Sequence, residues 1–441
     1  MRKTVVAMLL ACTGLLSQAQ AADLLQVYQQ ALANDAVIAG ARASLAAGEE
    51  KVIQGRAGLL PTLNLSASRS RTEVQQQNRE FDSKGYTLSL SQPLLRLANW
   101  ESYQQGKLQT EVSVAQYGQA QQDLILRVAQ AYFDVLIAED TLSSLLSEKE
   151  ATSEQLASAK RNFEVGTATI TDTYEAQARY DLIISQELAA RNNLAIARTA
   201  LEQITSTPVD ELASLRTNVE LHGPQPEQID SWVNNAQSGN YSVVAQGLSL
   251  EIARREIRRN RAGHAPTVDL VASRSYSDQT QLSTDPFSGS GSGTRNSIGL
   301  QLNIPLFSGF SVNSRVNEAI ALEEKARADL ENARRTAAQA ARQAYFSVTS
   351  GLSQIRALQA AEASSRAALE ANQLGYQVGV RINIDVLNAQ QQLFIARRDL
   401  SRARYETLLN SLRLKAAAGI LTEVDIHHIN DLLAYTGTRP Q

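Results

Sequence analysis

The sequence predicts a mainly α-helical chain with a membrane β-barrel, built as a duplicated protomer that carries four β-strands and long coiled-coil helices. Three observations predict this. First, Arg56-Ala-Gly-Leu-Leu-Pro-Thr-Leu-Asn-Leu-Ser-Ala-Ser-Arg-Ser70 returns 205 residues later as Arg261-Ala-Gly-His-Ala-Pro-Thr-Val-Asp-Leu-Val-Ala-Ser-Arg-Ser275, with ten of fifteen positions identical. Ala131-Tyr-Phe133 returns 213 residues later as Ala344-Tyr-Phe346, and Val165-Gly166 with Asp172 returns at the same distance as Val378-Gly379 with Asp385. A fixed order of motifs at nearly fixed spacing is a duplicated unit, here half a protein long. Second, four stretches alternate apolar and polar residues, two in each half. Third, each half contains a long tract without proline.

The first 21 residues read as a signal peptide. Arg2-Lys3 precede an apolar run from Val5 to Leu16, and Ala19-Gln20-Ala21 supplies a small-residue cleavage site. The run is shorter than the roughly 20 residues a bilayer span needs. Cys12, the chain's one cysteine, lies inside it, so the mature protein is expected to hold no disulfide or reactive thiol. Lys and Arg number 42 against 45 Asp and Glu; losing Arg2 and Lys3 takes the net charge from −3 to −5. That balance argues against a nucleic-acid partner.

The first structural repeat is expected over 22–206. A helix from Leu24 to Arg56 stops at Gly58 and Pro61. Strands follow near 62–71, where Leu63, Leu65 and Ala67 oppose Asn64, Ser66 and Ser68, and near 85–93, where Tyr86, Leu88 and Leu90 oppose Thr87, Ser89 and Ser91. A polar stretch, Glu73 to Lys84, separates them, and Pro93 ends the second. A long helical hairpin occupies 98–206. An equatorial linker, rich in proline at Pro208, Pro224 and Pro226, covers 207–240. The second repeat, 241–418, carries strands near 267–277 and 296–305, separated by a loop holding Ser288-Gly-Ser-Gly-Ser-Gly293, and a long hairpin at 311–418. A C-terminal equatorial segment, 419–441, closes the chain.

Strands of this length and alternation can cross a membrane when tilted. Four of them cannot close a barrel, and an open edge in lipid leaves backbone groups unpaired at several kcal/mol each. Copies of the chain must therefore share one barrel. The helices, at about 1.5 Å per residue, would reach about 100 Å. Leu142, Leu145, Leu156, Ala159 and Phe163 form one coiled-coil stripe, and Leu393, Ala396, Leu400, Ala403 and Leu414 another. A soluble periplasmic coiled-coil scaffold or adaptor protein is the rival reading. It accounts for the helices and the leader but not for two matched pairs of alternating strands.

Together these features resemble the outer-membrane efflux protein family over essentially the whole mature chain. Leu25-Gln-Val-Tyr-Gln-Gln-Ala31, Leu124-Ile-Leu126, Arg191-Asn-Asn-Leu194 and Gln203-Ile-Thr205 carry the resemblance, and the hairpin tips carry it most specifically: Val165-Gly166 with Ile170-Thr-Asp172, and Gly375-Tyr-Gln-Val-Gly379 with Arg381 and Asp385-Val-Leu387. The resemblance implies a homotrimer with a 12-stranded barrel in the outer membrane of a Gram-negative bacterium, surrounded by outer-membrane lipid and continuous with a 12-helix periplasmic tunnel. It implies delivery from an inner-membrane efflux pump or ABC secretion translocator through a periplasmic adaptor protein, with no cofactor. It also implies a gate at the tunnel end, with Tyr376 and Arg381 as donors and Thr171 and Asp172 as acceptors on the neighbouring coil. Asp385 would supply a carboxylate ring. Asn388 stands where the family pattern has a second acid. The turns Val165-Gly166-Thr167 and Val378-Gly379-Val380 are expected to dock the adaptor, glycine there permitting a left-handed backbone.

Other signals fit no chemistry. Adjacent His427 and His428 point apart on a helix and lack companion ligands. The Arg254–Arg261 run lies just before a strand and reads as a solvated or phosphate-facing helix end. No nucleophile–base set or phosphate-binding glycine loop is present, so the chain is not expected to be an enzyme.

Overall fold

The structure is a computed structural model, and it describes residues 21–74, 79–208, 211–216, 219–281 and 291–434. The expected leader, apart from Ala21, and the first half of the expected Ser288–Gly293 stretch lie outside the described residues; Gly291 to Gly293 belong to a strand rather than to a loop. The chain begins with α1 (Leu24–Asn34) and α2 (Ala36–Ala57), which lead into β1 (Thr62–Val74) and β2 (Arg79–Leu95). Two long helices follow, α3 (Leu97–Glu164) and α4 (Ile170–Thr205). A short β3 (Ser214–Leu215) precedes α5 (Ile229–Gly239), α6 (Tyr241–Arg261), β4 (Thr267–Gln281) and β5 (Gly291–Asn303). Then come α7 (Ser311–Gln377), α8 (Asn383–Ala417), α9 (Glu423–Asn430) and β6 (Leu433–Ala434).

The helix expected from Leu24 to Arg56 is in fact broken at Asp35. Its backbone is extended there, its N–H still donates to the Ala31 carbonyl, and its carboxylate accepts from the Ile38 N–H at 2.8 Å. One residue thus ends one helix and caps the next. The second half breaks in the same way at Asn240, 205 residues on, where the amide oxygen accepts from the Ser242 N–H at 3.0 Å. Leu24 and Asn34 shift to Ile229 and Gly239 by the same 205. The second repeat therefore begins near Ile229, and the stretch assigned to the linker up to 240 contains its first helix. Proline-rich composition at 208–226 hid that start.

The four long strands form one antiparallel sheet in the order β1-β2-β4-β5. They run past the expected bounds, into residues read as polar loop, because a backbone ladder needs no apolar side chains. Cross-strand ion pairs hold the extension: Arg69–Asp82 at 2.8 Å and Lys84–Asp278 at 3.3 Å. Register sorts the side chains into faces. Leu63, Leu90, Ala272 and Ile298 form one row across all four strands, and Asn64, Ser89, Ser273 and Ser297 the next row on the opposite face. The apolar face is exposed, with Leu63, Leu65, Ile298 and Leu300 facing outward from the protomer. Among the described residues, β1 and β5 each leave one edge without a strand partner in the protomer.

Below the sheet the wall is made of paired helices. α3 has 68 residues and α7 has 67, about 100 Å each at about 1.5 Å per residue. α3 packs on α2 near the sheet and on α4 beyond; α7 packs on α6 and then on α8. A Cβ at Gly106 would lie 2.5 Å from the Lys51 carbonyl, so this glycine permits the close α2–α3 approach. Arg96, at the start of α3, makes a two-pronged bond to Asp269 of β4 at 2.8 and 2.6 Å, fixing the strand-to-helix turn. The largest core lies midway along the molecule. It gathers Leu24, Val27 and Tyr28 of α1, Leu124 to Leu136 of α3, Leu201 of α4, Leu408 and Leu412 of α8, and Ile426 and Ile429 of α9. There β3 and β6 pair, tying the middle segment to the C-terminal one. No described helix is long and apolar enough to cross a membrane.

Candidate functional site

The two hairpin turns lie at the end farthest from the sheet, and they are built alike. In the first, the Gly166 N–H donates to the Phe163 carbonyl at 3.0 Å and the Thr167 N–H to the Asn162 carbonyl at 2.8 Å. In the second, the Gly379 N–H donates to the Tyr376 carbonyl at 3.1 Å and the Val380 N–H to the Gly375 carbonyl at 2.9 Å. This nested pair of bonds is the Schellman ending of a helix, which puts one residue in the left-handed region. Gly166 and Gly379 occupy it, both at φ +79°. Val165, Gly166, Thr167, Val378, Gly379 and Val380 are all exposed, Val165 at 72% and Val378 at 64%. Each turn thus presents apolar side chains to the surroundings on a backbone fixed by its own hydrogen bonds.

Thr171 and Asp172 open α4. Asp172 serves as a cap: its carboxylate accepts from the Thr169 N–H at 2.9 Å and the Thr169 hydroxyl at 2.7 Å, while its own N–H donates back to Thr169 at 3.3 Å. Thr171 is exposed. Within one protomer neither Tyr376 nor Arg381 is bonded to Thr171 or Asp172. Tyr376 Oη accepts from Asn162 Nδ2 at 3.1 Å, which leaves its own O–H to donate. Arg381 pairs with Asp385 one turn along the same stretch, at 3.6 Å. Asn388 is exposed and accepts from Arg179 of α4 at 3.2 Å. Further along α3, burial pushes the Glu148 carboxyl above its ordinary range, while the Arg179 and Arg398 cations draw it down.

Sequence reasoning passed over Asn162, Gln155, Asn383 and Arg179. A signal for Asn383 was present: Asn383, Leu387 and Gln390 follow one another at steps of four and three, so two polar residues share a helix face with a leucine. Among the described residues no cluster of His, Cys, Asp or Glu could hold a metal ion, and His427 and His428 are exposed at the end of α9.

The family model described as outer membrane efflux protein matches residues 27–207 and 232–420, and the gap falls on the middle segment and the first residues of α5. The chain is 34% identical over 434 residues to outer membrane protein TolC of Escherichia coli (strain K12), covering 96% of this chain and 88% of that protein. It is 33% identical over 425 residues to the proteases secretion protein PrtF of Dickeya chrysanthemi, covering 92% and 90%. Its fold matches the CmeC outer membrane channel of Campylobacter jejuni with a TM-score of 0.78 at 20% identity, over 93% of this chain and 89% of that one.

Proposed function

The chain belongs to the outer membrane efflux protein family, and from that premise we infer that it is an outer-membrane exit duct serving efflux and type I secretion. One observation carries the reading physically. A four-stranded sheet with an apolar outer face and two unpaired edges runs directly into helices about 100 Å long at about 1.5 Å per residue. Unpaired edges are not tolerated in lipid, so β5 of one copy takes β1 of the next and three copies close the barrel. The serine-rich rows then face the lumen, and the helices continue the passage across the periplasm.

At the far end the duct is closed by its own hairpins. Tyr376 and Arg381 are the closing donors, and Thr171 and Asp172 of the adjoining coil are their acceptors between copies. The spare O–H of Tyr376 and the exposure of Thr171 support this. Bonds of this kind in a wet site are worth about a kcal/mol or less each, so a partner can open them without unfolding the wall. Asp385 contributes a carboxylate ring that Arg381 partly balances. Asn388, bonded to Arg179, adds no second ring. The exposed turns Val165-Gly166-Thr167 and Val378-Gly379-Val380 receive a periplasmic adaptor, which links the duct to an inner-membrane pump or ABC translocator. The duct itself does no chemistry.

The test is assembly and conduction. Purified in detergent, the protein should be a trimer by light scattering and should insert into planar bilayers as a low-conductance channel. A monodisperse, fully folded monomer that forms no channels overturns the reading.

A further inference from the structure

We propose that Asn383 is a latch that holds the two hairpins of one protomer together at the periplasmic end, a role that rests on the duct reading above. Asn383 opens α8 and is only 1% exposed. Gln155 Nε2 of α3 donates to its Oδ1, and its own Nδ2 donates to the Asp172 carbonyl of α4 at 3.4 Å. One amide therefore joins three helices from both hairpins. Beside it Leu156, Ala159, Ala176 and Leu387 form a small apolar core from the same three helices. In such surroundings a hydrogen bond is stronger than in water and a broken one is costly. A polar side chain buried in a coiled-coil stripe fixes register at some cost in stability, and here it fixes which helices meet.

The duplication isolates the latch. The residue 213 before Asn383 is Ile170, which is exposed, and the residue 213 after Gln155 is Ala368. The clasp thus exists within each protomer and has no counterpart at the equivalent seam between copies. It also differs in kind from the charged pair nearby. The Arg381–Asp385 pair stays within one hairpin and does not cross to the other. Among the described residues beyond Asp140, the side-chain hydrogen bonds that do cross between hairpins end on neutral acceptors: Asn383 Oδ1, the Asp172 carbonyl, Tyr376 Oη and Asn388 Oδ1. Neutral acceptors give salt little to screen. The bonds of Asn383 itself are neutral on both sides, so this latch is indifferent to salt, and separating the hairpins at this end requires its rupture. Asn383 positions the gate without touching what passes through.

The experiment is single-channel conductance of the full-length trimer in planar bilayers at low and high KCl. Asn383→Ala and Gln155→Ala should each raise conductance several-fold, by the same ratio at both salt concentrations. The double variant should conduct like Asn383→Ala, because that substitution already removes the bond that Gln155→Ala breaks. Wild-type conductance in Asn383→Ala, an additive double variant, or a rise that vanishes at one salt concentration overturns the latch. If Asn383→Ala does not assemble, Gln155→Ala carries the test, since Gln155 is only half buried. A wild-type protein that forms no channel overturns the duct; a wild-type channel with an inert Asn383→Ala overturns the latch alone.

Discussion

Ala131-Tyr132-Phe133 and Ala344-Tyr345-Phe346 are the same three residues at equivalent places in the two halves, and they meet different fates. The tyrosines reach equivalent places. Tyr132 Oη donates to the Ala213 carbonyl at 2.6 Å and lies 3.2 Å from the Ala22 carbonyl, and Tyr345 Oη donates to the carbonyl of Glu227, which is residue 22 shifted by 205. The phenylalanines do not. Phe133 is 1% exposed and stacks on Tyr405 of α8 at 5.6 Å; Phe346 is 60% exposed. The helix that covers α3 in the first half is α8 of the same chain. Under the trimeric duct proposed above, the internal symmetry assigns the cover of α7 to α4 of another copy. The opposing face agrees, because Leu409 of α8 is 5% exposed whereas its counterpart Ile196 of α4 is 60% exposed. The comparison teaches that one half shows a finished seam and the other leaves the equivalent faces exposed, which the proposed trimer would cover with the next protomer.

The largest expected effect breaks the finished seam. Phe133→Ala removes a stacked ring from the main core at a cost of about 3–5 kcal/mol, a large part of an ordinary domain's stability. Expression should yield little folded protein, with reduced helical signal by circular dichroism. Phe346→Ala should leave the protomer's helicity intact. Phe346→Asp should go further and prevent trimers while the helices remain, as light scattering with circular dichroism would report. If Phe346→Asp trimerises as wild type does, the seam has been mapped onto the wrong helix.

What could be read from the chain alone follows the same division. The duplication, the four strands and the turn glycines were legible because each depends on local chemistry: alternation, chain breakers and backbone freedom. The break at Asp35 was not, because apolar residues continue through it and the cap replaces helix bonds without a glycine or proline. The ends of the strands were blurred, since outside the membrane a ladder tolerates charges such as Asp82 and Lys84. Asn383 was passed over because its meaning depends on Gln155 and Asp172, residues 228 and 211 positions away. The expected acceptor role of Asp172 met a competitor in the cap it makes with Thr169, which the sequence Thr169-Ile-Thr-Asp172 encodes.

A smaller effect tests whether the two halves are equivalent where they look most alike. Gly166 and Gly379 share φ +79°, and a Cβ at either meets no atom within 4 Å. Substitution by leucine therefore costs backbone strain, about 1–2 kcal/mol, and no packing. Trimer yield should be unchanged for both variants, while binding of the periplasmic adaptor, measured by co-purification after cross-linking, should fall in both. Unimpaired binding in either variant removes that turn from the docking surface.

The smallest expected effect lies where the halves share a shape but not a charge. Both halves break a helix at one capping residue, Asp35 in the first and Asn240 in the second. Asp35 also takes a two-pronged bond from Arg127, with both contacts at 3.0 Å. The residue equivalent to Arg127 in the second half is Ala340. The Arg127 guanidinium holds the Asp35 carboxyl below its ordinary range, burial opposing it and the Ile38 N–H assisting. A depressed folded pKa means that the stabilisation is fully present above the unfolded value, about 3.9, and is lost as pH falls through the folded value. Asp35→Asn keeps the cap oxygen and removes the charge. Its melting temperature should therefore lie below wild type from neutral pH down to about pH 5, and the gap should close as pH drops below about 4. Replacing Asn240 by alanine should instead lower the melting temperature by the same amount at every pH, since an amide does not titrate. A gap for Asp35→Asn that stays constant into acid would mean that the ion pair with Arg127 contributes nothing, and that the two breaks are held by capping alone.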